Sequence, residues 1–297
     1  GNYNAAADVP QVLNVAKVAL VVAANAGQSK TYGDAEPALF TYTITTGALV
    51  GGDTLTGALS RVAGEDVDNY AIQQNDLAAS ANYTLTYVGA NFAVTKADQT
   101  ITFGALPGKT YGDPTFDLAA RADSTLPVSY DSSNPAVATV AGSTVTIHGA
   151  GATTITASQA GNGNYNAAAD VPQVLNVAKV DLVVTANAGQ SKAYGDPEPA
   201  EFTYTITTGA LVGGDTLSGA LNRVAGENVA NYAIQQNDLA ASANYTLAYV
   251  GANFAVTKAD QTITFGPLPG KTYGDADFAL TATASSTLAV SYASSDP

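Results

Sequence analysis

Short runs of alternating apolar and polar residues make up much of this chain. Residues 40–45 read FTYTIT, residues 82–88 read NYTLTYV and residues 152–157 read ATTITA. A period of two places successive side chains on opposite faces of a β-strand, so that the apolar ones can face a core. Gly, Asn and Pro separate the runs at close intervals, as turns between short strands require. The pattern predicts an all-β protein of small antiparallel β-sandwiches, with a single helical turn at residues 75–79.

The sequence repeats itself with a constant offset. Residues 1–8 (GNYNAAAD) return at residues 163–170, and residues 97–104 (ADQTITFG) return at residues 259–266, so the period is 163 − 1 = 162 residues. Long, gap-free copies of one segment are typical of repeat proteins, in which each unit packs mainly against its neighbours. A catalytic chain seldom needs the same long segment twice.

Two kinds of domain alternate within each period. Similar phrases, VAKV or VTKA, mark the boundaries at Lys17, Lys96, Lys179 and Lys258. They define a type-one domain at residues 17–96 and again at 179–258, a type-two domain at 97–178, the end of a type-two domain at 1–16 and the beginning of one at 259–297. No Pro- or Ser-rich linker separates the domains, so we expect a linear rod. The boundary lysines are expected to form salt bridges between neighbouring domains, with a Lys–Asn isopeptide bond as the alternative.

The two end segments leave two interpretations open. Residues 1–16 and 259–297 together lack a counterpart of residues 136–162. The favoured interpretation is that the chain is a window on a longer repeat array. The alternative is that the first strand of one chain completes the incomplete sandwich of the next by strand addition.

Charge and composition narrow the range of partners. The chain has 25 acidic and 11 basic residues, a net charge of −14, and this acidity disfavours binding to nucleic acid or to an anionic membrane. It has no Cys, which excludes disulfides and thiolate metal sites. We find no run of 18 apolar residues, so no membrane-spanning helix is expected in these residues.

A Tyr-Gly-Asp motif follows the first strand of each domain. Its copies are Tyr32-Gly33-Asp34, Tyr111-Gly112-Asp113, Tyr194-Gly195-Asp196 and Tyr273-Gly274-Asp275. Gly accepts a positive φ, Asp can accept a hydrogen bond from a backbone N–H two residues further on, and Tyr can cover the edge of a core. We therefore expect a structural turn, and a direct ligand contact is the alternative.

Acidic residues raise the question of calcium. The densest cluster is Glu65, Asp66 and Asp68, but the second copy has Glu227, Asn228 and Ala230 at these positions. A repeated ion site should keep its carboxylates, and the usual calcium-loop spacing is absent. We expect a solvated loop and no cofactor, with Ca²⁺ as the alternative.

The residues resemble two known kinds of bacterial repeat. The type-two domain is similar to the bacterial immunoglobulin-like (Ig-like) repeats of large surface proteins, through QTITFG at 99–104, KTYGD at 109–113 and SSNPAVA at 132–138. The type-one domain resembles the MBG domain of the YGX type, through KTYGD at 30–34, GDTLTGAL at 52–59 and NYTL at 82–85. The resemblance implies a bacterial protein of the repetitive adhesin kind, secreted or displayed on the cell surface. It implies no known ligand.

These features together favour a non-enzymatic, extracellular stalk segment of a bacterial surface adhesin. One alternative is a self-assembling filament or sheath protein, and another is a carbohydrate-binding module. The expected partners are the neighbouring repeats of the same chain. Self-association into fibres and binding to surface glycans or proteins are further hypotheses, which the residues alone do not separate.

Overall fold

The computed structural model describes residues 1–296, and within them the chain is all-β without a helix. The chain forms two compact units. The first consists of Gly1–Pro107, Thr115–Thr146 and Ala152–Leu175, and the second consists of Gly108–Pro114, Ile147–Gly151 and Asn176–Pro297. Each unit contains one complete type-one domain. None of the described residues forms a helix long and apolar enough to cross a membrane.

The type-one domain of the first unit is a sandwich of two sheets. Its seven strands are β1 (Val18–Ala24), β2 (Ser29–Thr31), β3 (Tyr42–Thr46), β4 (Ser60–Arg61), β5 (Asn69–Gln73), β6 (Tyr83–Val88) and β7 (Asn91–Thr95). One sheet has the order β3-β1-β6 and the other has the order β2-β7-β5-β4. Burial in the core between them follows the period of two of a β-strand, because Leu20, Val22 and Ala24 of β1 are buried and the residues between them are not.

The β-sandwich fold was predicted, but its sheets are mixed and contain parallel as well as antiparallel pairs. β1 runs parallel to β6, with Val18 opposite Tyr83, and β2 runs parallel to β7, with Ser29 opposite Ala93. Each parallel pair joins an early strand to a late one, so no short hairpin forces the two strands to run in opposite directions. The remaining pairs, β1 with β3, β4 with β5 and β5 with β7, are antiparallel.

The predicted helical turn at residues 75–79 does not form. Asn75 has a φ of 49°, which is left-handed and cannot continue a right-handed helix. Leu77 is instead buried in the sandwich core, beside Val22 and Phe92. The chain passes so close to Gly57 that a Cβ there would lie 2.1 Å from the carbonyl oxygen of Asp76. Tertiary packing of Leu77 determines this turn.

The type-one domain of the second unit has the same topology. Its strands are β17 (Val180–Ala186), β18 (Ser191–Ala193), β19 (Tyr204–Thr208), β20 (Asn222–Arg223), β21 (Ala230–Gln235), β22 (Tyr245–Val250) and β23 (Asn253–Thr257). The sheet orders are β19-β17-β22 and β18-β23-β21-β20. Val184 and Phe254 occupy the core positions of Val22 and Phe92.

The type-two domain is built from nine strands of two to eight residues. They are β8 (Ile101–Thr102), β9 (Lys109–Thr110), β10 (Phe116–Asp117), β11 (Arg121–Ala122), β12 (Ser129–Ser132), β13 (Ala138–Ala141), β14 (Thr144–Ile147), β15 (Gly151–Ser158) and β16 (Val171–Ala178). In the first unit the pairings include β10-β14-β13, β11-β8 and β12-β15-β16. In the second unit β9 runs parallel to the last residues of β16, with Val177 opposite Lys109.

The end segments contain little regular structure. Residues 1–16 form no strand, and Tyr3 and Leu13 are exposed. Residues 259–296 contain only β24 (Ile263–Thr264) and β25 (Thr283–Ala284), which pair in an antiparallel manner.

Candidate functional site at the domain joints

All four Tyr-Gly-Asp motifs form the same tight turn. The glycines have φ values of 83°, 90°, 86° and 97° at Gly33, Gly112, Gly195 and Gly274. The amide of the Asp donates to the carbonyl of the residue before the Tyr, over 3.0 Å from Asp113 to Thr110. This bond with a positive φ at the third residue is the arrangement of a type II turn, in which Gly is strongly preferred. The Asp113 carboxylate accepts a bond from the Thr110 amide, three residues before it and not two residues after it.

In the first unit this turn lies at the joint between the type-one and type-two domains, here called the first joint. The edge of the Tyr32 ring meets Tyr165, with ring centroids 5.3 Å apart. Beside the two rings, the Val67 amide donates to Asn164 Oδ1 over 3.0 Å, and Asn164 Nδ2 donates to Asp66 Oδ1 over 2.8 Å. One Asn side chain thus satisfies a donor and an acceptor of the other domain.

Backbone bonds within the type-two domain hold its first residue beside Asn164. Ala97 N donates to Asn164 O over 3.0 Å, and Asn166 N donates back to Ala97 O over 2.8 Å. Lys96 Nζ donates to the carbonyl oxygen of Asn162 over 2.7 Å. The salt bridge predicted for this boundary lysine is therefore wrong, because the ammonium group binds a backbone carbonyl.

In the second unit the corresponding turn, at Tyr111, lies against the second type-one domain, and this contact is here called the second joint. The hydroxyl groups of Tyr111 and Tyr245 both donate to Asp215 Oδ2, over 3.0 Å and 2.6 Å. The two rings meet edge to face with centroids 5.7 Å apart. Burial, and then the hydrogen bond to the Asp215 carboxylate, raise the pKa of both phenols, because a charged phenolate would be desolvated and repelled.

Two further contacts complete the second joint. A Cβ on Gly112 would lie 2.7 Å from Val212 Cγ2, so the glycine permits close approach as well as a left-handed turn. Asn244 Oδ1 accepts a bond from the Ala150 amide over 2.9 Å. The spacing between the domains is short, because the single residue Lys179 separates β16 from β17.

Each type-one domain also holds a four-residue ion cluster that the sequence analysis did not find. Lys30 Nζ lies 2.8 Å from Glu36 and 2.6 Å from Glu65, and Arg61 pairs with the same two carboxylates. The Lys30 and Arg61 side chains are only 5% and 6% exposed. The hydrogen bond from Arg61 lowers the pKa of Glu36 to about 2, with a smaller contribution from Lys30.

The ion cluster is repeated and packs on aromatic rings. The Arg61 guanidinium carbon lies 4.8 Å from the centre of the Tyr70 ring. The second domain has the same cluster at Lys192, Glu198, Arg223 and Glu227. Only 12% of the residues are charged, so four charges kept 162 positions apart were a signal that the sequence analysis could have used.

The structure does not gather Glu65, Asp66 and Asp68 into one cluster. Glu65 belongs to the ion cluster, Asp66 accepts the bond from Asn164, and Asp68 Oδ1 accepts one from the Asn69 amide. In residues 1–296 no group of three His, Asp or Glu side chains is arranged to hold a metal ion. Each of these carboxylates has an internal partner.

Comparison with known families finds two kinds of domain in this chain. Residues 20–93 and 182–255 match the MBG domain (YGX type), and residues 123–161 match the intimin immunoglobulin-like domain. The protein carries MBG and Ig-like repeats. The MBG matches lie inside the two type-one domains and the Ig-like match lies inside the type-two domain, so these are called the MBG and Ig-like domains below. Both are non-enzymatic repeat domains of adhesion-type proteins and point to an extracellular or cell-surface protein.

Distant similarity to solved structures is also present, whereas no curated protein matches the chain. Drosophila N-cadherin EC1-3 is 10% identical over 67% of this chain and 79% of that chain, with a TM-score of 0.24. Sidekick-1 immunoglobulin domains 1-4 are 12% identical over 78% and 73%, with a TM-score of 0.25. The Protocadherin GammaB4 extracellular domain is 13% identical over 81% and 51%, with a TM-score of 0.28.

Proposed function

We propose that this chain is a non-enzymatic stalk segment of a bacterial surface adhesin, located outside the cell. The observation that carries the proposal is the construction of the joints. At the second joint one residue, Lys179, connects two domains that are also held together by the bonds from Tyr111 to Asp215 and from the Ala150 amide to Asn244. A connection this short, with side-chain bonds on both sides, restricts rotation between neighbouring domains. A stalk needs this stiffness to hold a binding surface away from the cell.

The proposed stalk needs no calcium. Glu65 is neutralised by Lys30 and Arg61, and Asp66 is bound to Asn164. The joints are fastened by ring contacts and by hydrogen bonds between protein groups, among them the Asp66 and Asp215 carboxylates, so removing divalent ions should leave them intact. The immediate partners of each repeat are the neighbouring repeats, and any contact with surface glycans or proteins would be added by further modules or by weak multivalent binding.

The test is the length added by each repeat. We would prepare chains of one, two and three 162-residue periods and measure their contour lengths by electron microscopy and X-ray scattering. Strands of about 7 residues and the loops beyond them lead us to expect roughly 70–80 Å per period. A matched control carries a flexible Gly-Ser insertion at Lys179, which should shorten the mean end-to-end distance. Equal flexibility of the control and the parent chain would contradict the stalk.

A further inference from the structure

The chain contains one Asn-Gly pair, Asn162-Gly163, which lies in the loop between β15 and β16. Every other asparagine is followed by a residue that carries a side chain. Both residues of the pair are exposed, and a Cβ on Gly163 would meet no atom within 4 Å. A glycine in open space leaves its backbone nitrogen unshielded, so this nitrogen can approach the side-chain carbon of the preceding asparagine.

Two backbone amides hold the side chain of Asn162. Asn164 N and Tyr165 N donate to Asn162 Oδ1 over 2.8 Å and 2.9 Å. Donors aimed at a carbonyl oxygen stabilise the negative charge that forms on it when a nucleophile adds to the carbon. The folded loop therefore supports attack at Asn162 Cγ in the way that an oxyanion hole supports attack on an acyl group.

Lys96 acts on the other carbonyl group of Asn162. Its Nζ donates to the backbone oxygen of Asn162 over 2.7 Å. When the Gly163 amide loses its proton, the negative charge is shared with this oxygen, and a bound ammonium group favours the charged form. The contact with Lys96 therefore makes the Gly163 nitrogen a better nucleophile.

We propose that Asn162 and Gly163 form a site of spontaneous deamidation that the folded first joint promotes. The Gly163 nitrogen gives its proton to hydroxide and forms a bond to Asn162 Cγ. The Cγ–Nδ2 bond then breaks, ammonia leaves with a proton taken from water, and a five-membered succinimide ring remains. Water opens this ring at one of its two carbonyl groups. Breaking the bond from nitrogen to Cγ gives aspartate, and breaking the bond to the backbone carbonyl carbon gives isoaspartate.

Lys96 favours the isoaspartate product. It polarises the backbone carbonyl of the ring, and the same carbonyl becomes the free carboxylate of isoaspartate, next to an ammonium group that is already in place. The main chain of isoaspartate is longer by one carbon, or about 1.5 Å. This displaces Asn164, whose side chain bonds to the Val67 amide and to Asp66. The first joint should therefore loosen as the molecule ages, whether or not the chain is a stalk.

The test is the rate of deamidation in the full chain, incubated at neutral pH and followed by peptide mapping. Exchange of an amide NH₂ for OH raises the mass of a peptide by about 1 Da, and an isoaspartate-specific methyltransferase measures the isoaspartate. We expect Asn162 to react faster than any other asparagine, and severalfold faster than in a synthetic peptide of residues 158–168. That peptide keeps the Asn-Gly pair but lacks Lys96 and the fold. A folded chain that reacts no faster than the peptide would overturn the proposal.

Two variants at exposed positions separate the causes. Gly163→Ala adds a methyl group in open space, leaves the contacts of Asn162 in place and should slow the reaction about tenfold or more. Lys96→Met removes the charge at similar length, and should slow the reaction severalfold and lower the share of isoaspartate. A parent-like rate in Gly163→Ala, or a parent-like rate and product ratio in Lys96→Met, would contradict the mechanism.

Hydrogen exchange measures the consequence for the joint. The Val67 amide is protected by its bond to Asn164, so it should exchange faster in the aged parent chain than in the fresh one. Gly163→Ala, aged in the same way, is the matched control and should keep the rate of the fresh chain. Unchanged exchange at Val67 in molecules that carry isoaspartate would show that the joint does not loosen, against the proposal.

Discussion

At the scale of single residues, Gly112 meets two demands that can be separated by mutation. Its φ of 90° disfavours any side chain, and Val212 occupies the space that a Cβ would need. Gly195, in the same motif, has a φ of 86° but open space around it. The pair therefore distinguishes backbone strain from loss of the joint.

We predict that Gly112→Ala costs more stability than Gly195→Ala. In both variants the left-handed backbone conformation of the alanine should lower the free energy of unfolding by about 1–2 kcal/mol. Only Gly112→Ala also displaces Val212, which should add about 1 kcal/mol or open the second joint. Urea unfolding of the two variants measures the difference. Equal losses would mean that Val212 moves aside at no cost and that the joint tolerates a side chain there.

The Tyr111, Tyr245 and Asp215 group makes the second joint sensitive to alkaline pH. Because the pKa of each phenol is raised above its usual 10.0, the folded joint holds the proton more tightly than the unfolded chain does. The resulting stability is fully present below pH 10.0 and is lost as the pH rises through the raised pKa values. We expect the free energy of unfolding to fall with pH above this value, and to fall less steeply in Tyr111→Phe. An unchanged slope in that variant would show that Asp215 does not hold the phenol proton.

The sequence identified the Tyr-Gly-Asp turns but not what they touch. The motif occurs four times, and its Gly and Asp are residue types that tight turns prefer, so the turn could be predicted from the sequence. Asp215 meets Tyr111, and Asn164 meets Asp66, only when the folded strands bring their loops together. Asp and Asn are common residues in loops, so neither stood out in the sequence. The three acidic residues singled out for calcium drew attention to Glu65 and Asp66, but their actual partners lie on other strands.

At the scale of the strand pairs, the ion cluster ties the loop that carries Glu36 to β2 and β4. We predict that Glu36→Gln lowers the stability of the first MBG domain at neutral pH. The pKa of Glu36 is lowered from 4.5 to about 2, so its contribution is present above pH 4.5 and disappears as the pH falls through about 2. Because the carboxylate is 42% exposed, screening reduces this contribution to about 1 kcal/mol.

Thermal unfolding at neutral and strongly acidic pH provides the measurement. The parent chain and Glu36→Gln should differ at neutral pH and converge as the pH falls below about 2, where the carboxylate is protonated. Glu201→Gln, a change at an exposed carboxylate of the second MBG domain, is the control and should match the parent at both pH values. A difference that persists in acid would point to packing rather than charge.

The direction of strand pairing could not be predicted from the sequence pattern. Alternation located the strands well, as at β6 and β15, because burial follows the period of two. It could not reveal that β1 and β6 run parallel, since direction depends on which distant strands meet. The prediction of a helical turn at residues 75–79 failed for a similar reason: Leu77 is buried in the core close to a left-handed Asn75, and the local sequence does not specify that conformation.

At the scale of the whole molecule, the 162-residue period could be found from the sequence alone, because repeated segments can be detected without a structure. The alternation of two unlike domains within it also has a physical use. β7 and β23 both read NFAVT, and β6 and β22 differ at one position, so a strand of one MBG domain would fit the other nearly as well as its own. Neighbours of this kind invite exchange of strands during folding.

We predict that an array of MBG domains alone refolds less efficiently than an alternating array with the same number of domains. An Ig-like domain between two MBG domains increases the distance to the nearest compatible strand. The effective concentration of that strand is then lower, which disfavours the strand-swapped form. The measurement is the fraction of native, soluble protein recovered after dilution from denaturant, with single MBG domains as the control that cannot swap within a chain. The alternating array should approach the yield of the single domain, while the uniform array should lose material to misfolded species. Equal yields from the two arrays would show that alternation does not protect folding, and the stiffness of the joints would then remain the physical reason for keeping two kinds of domain.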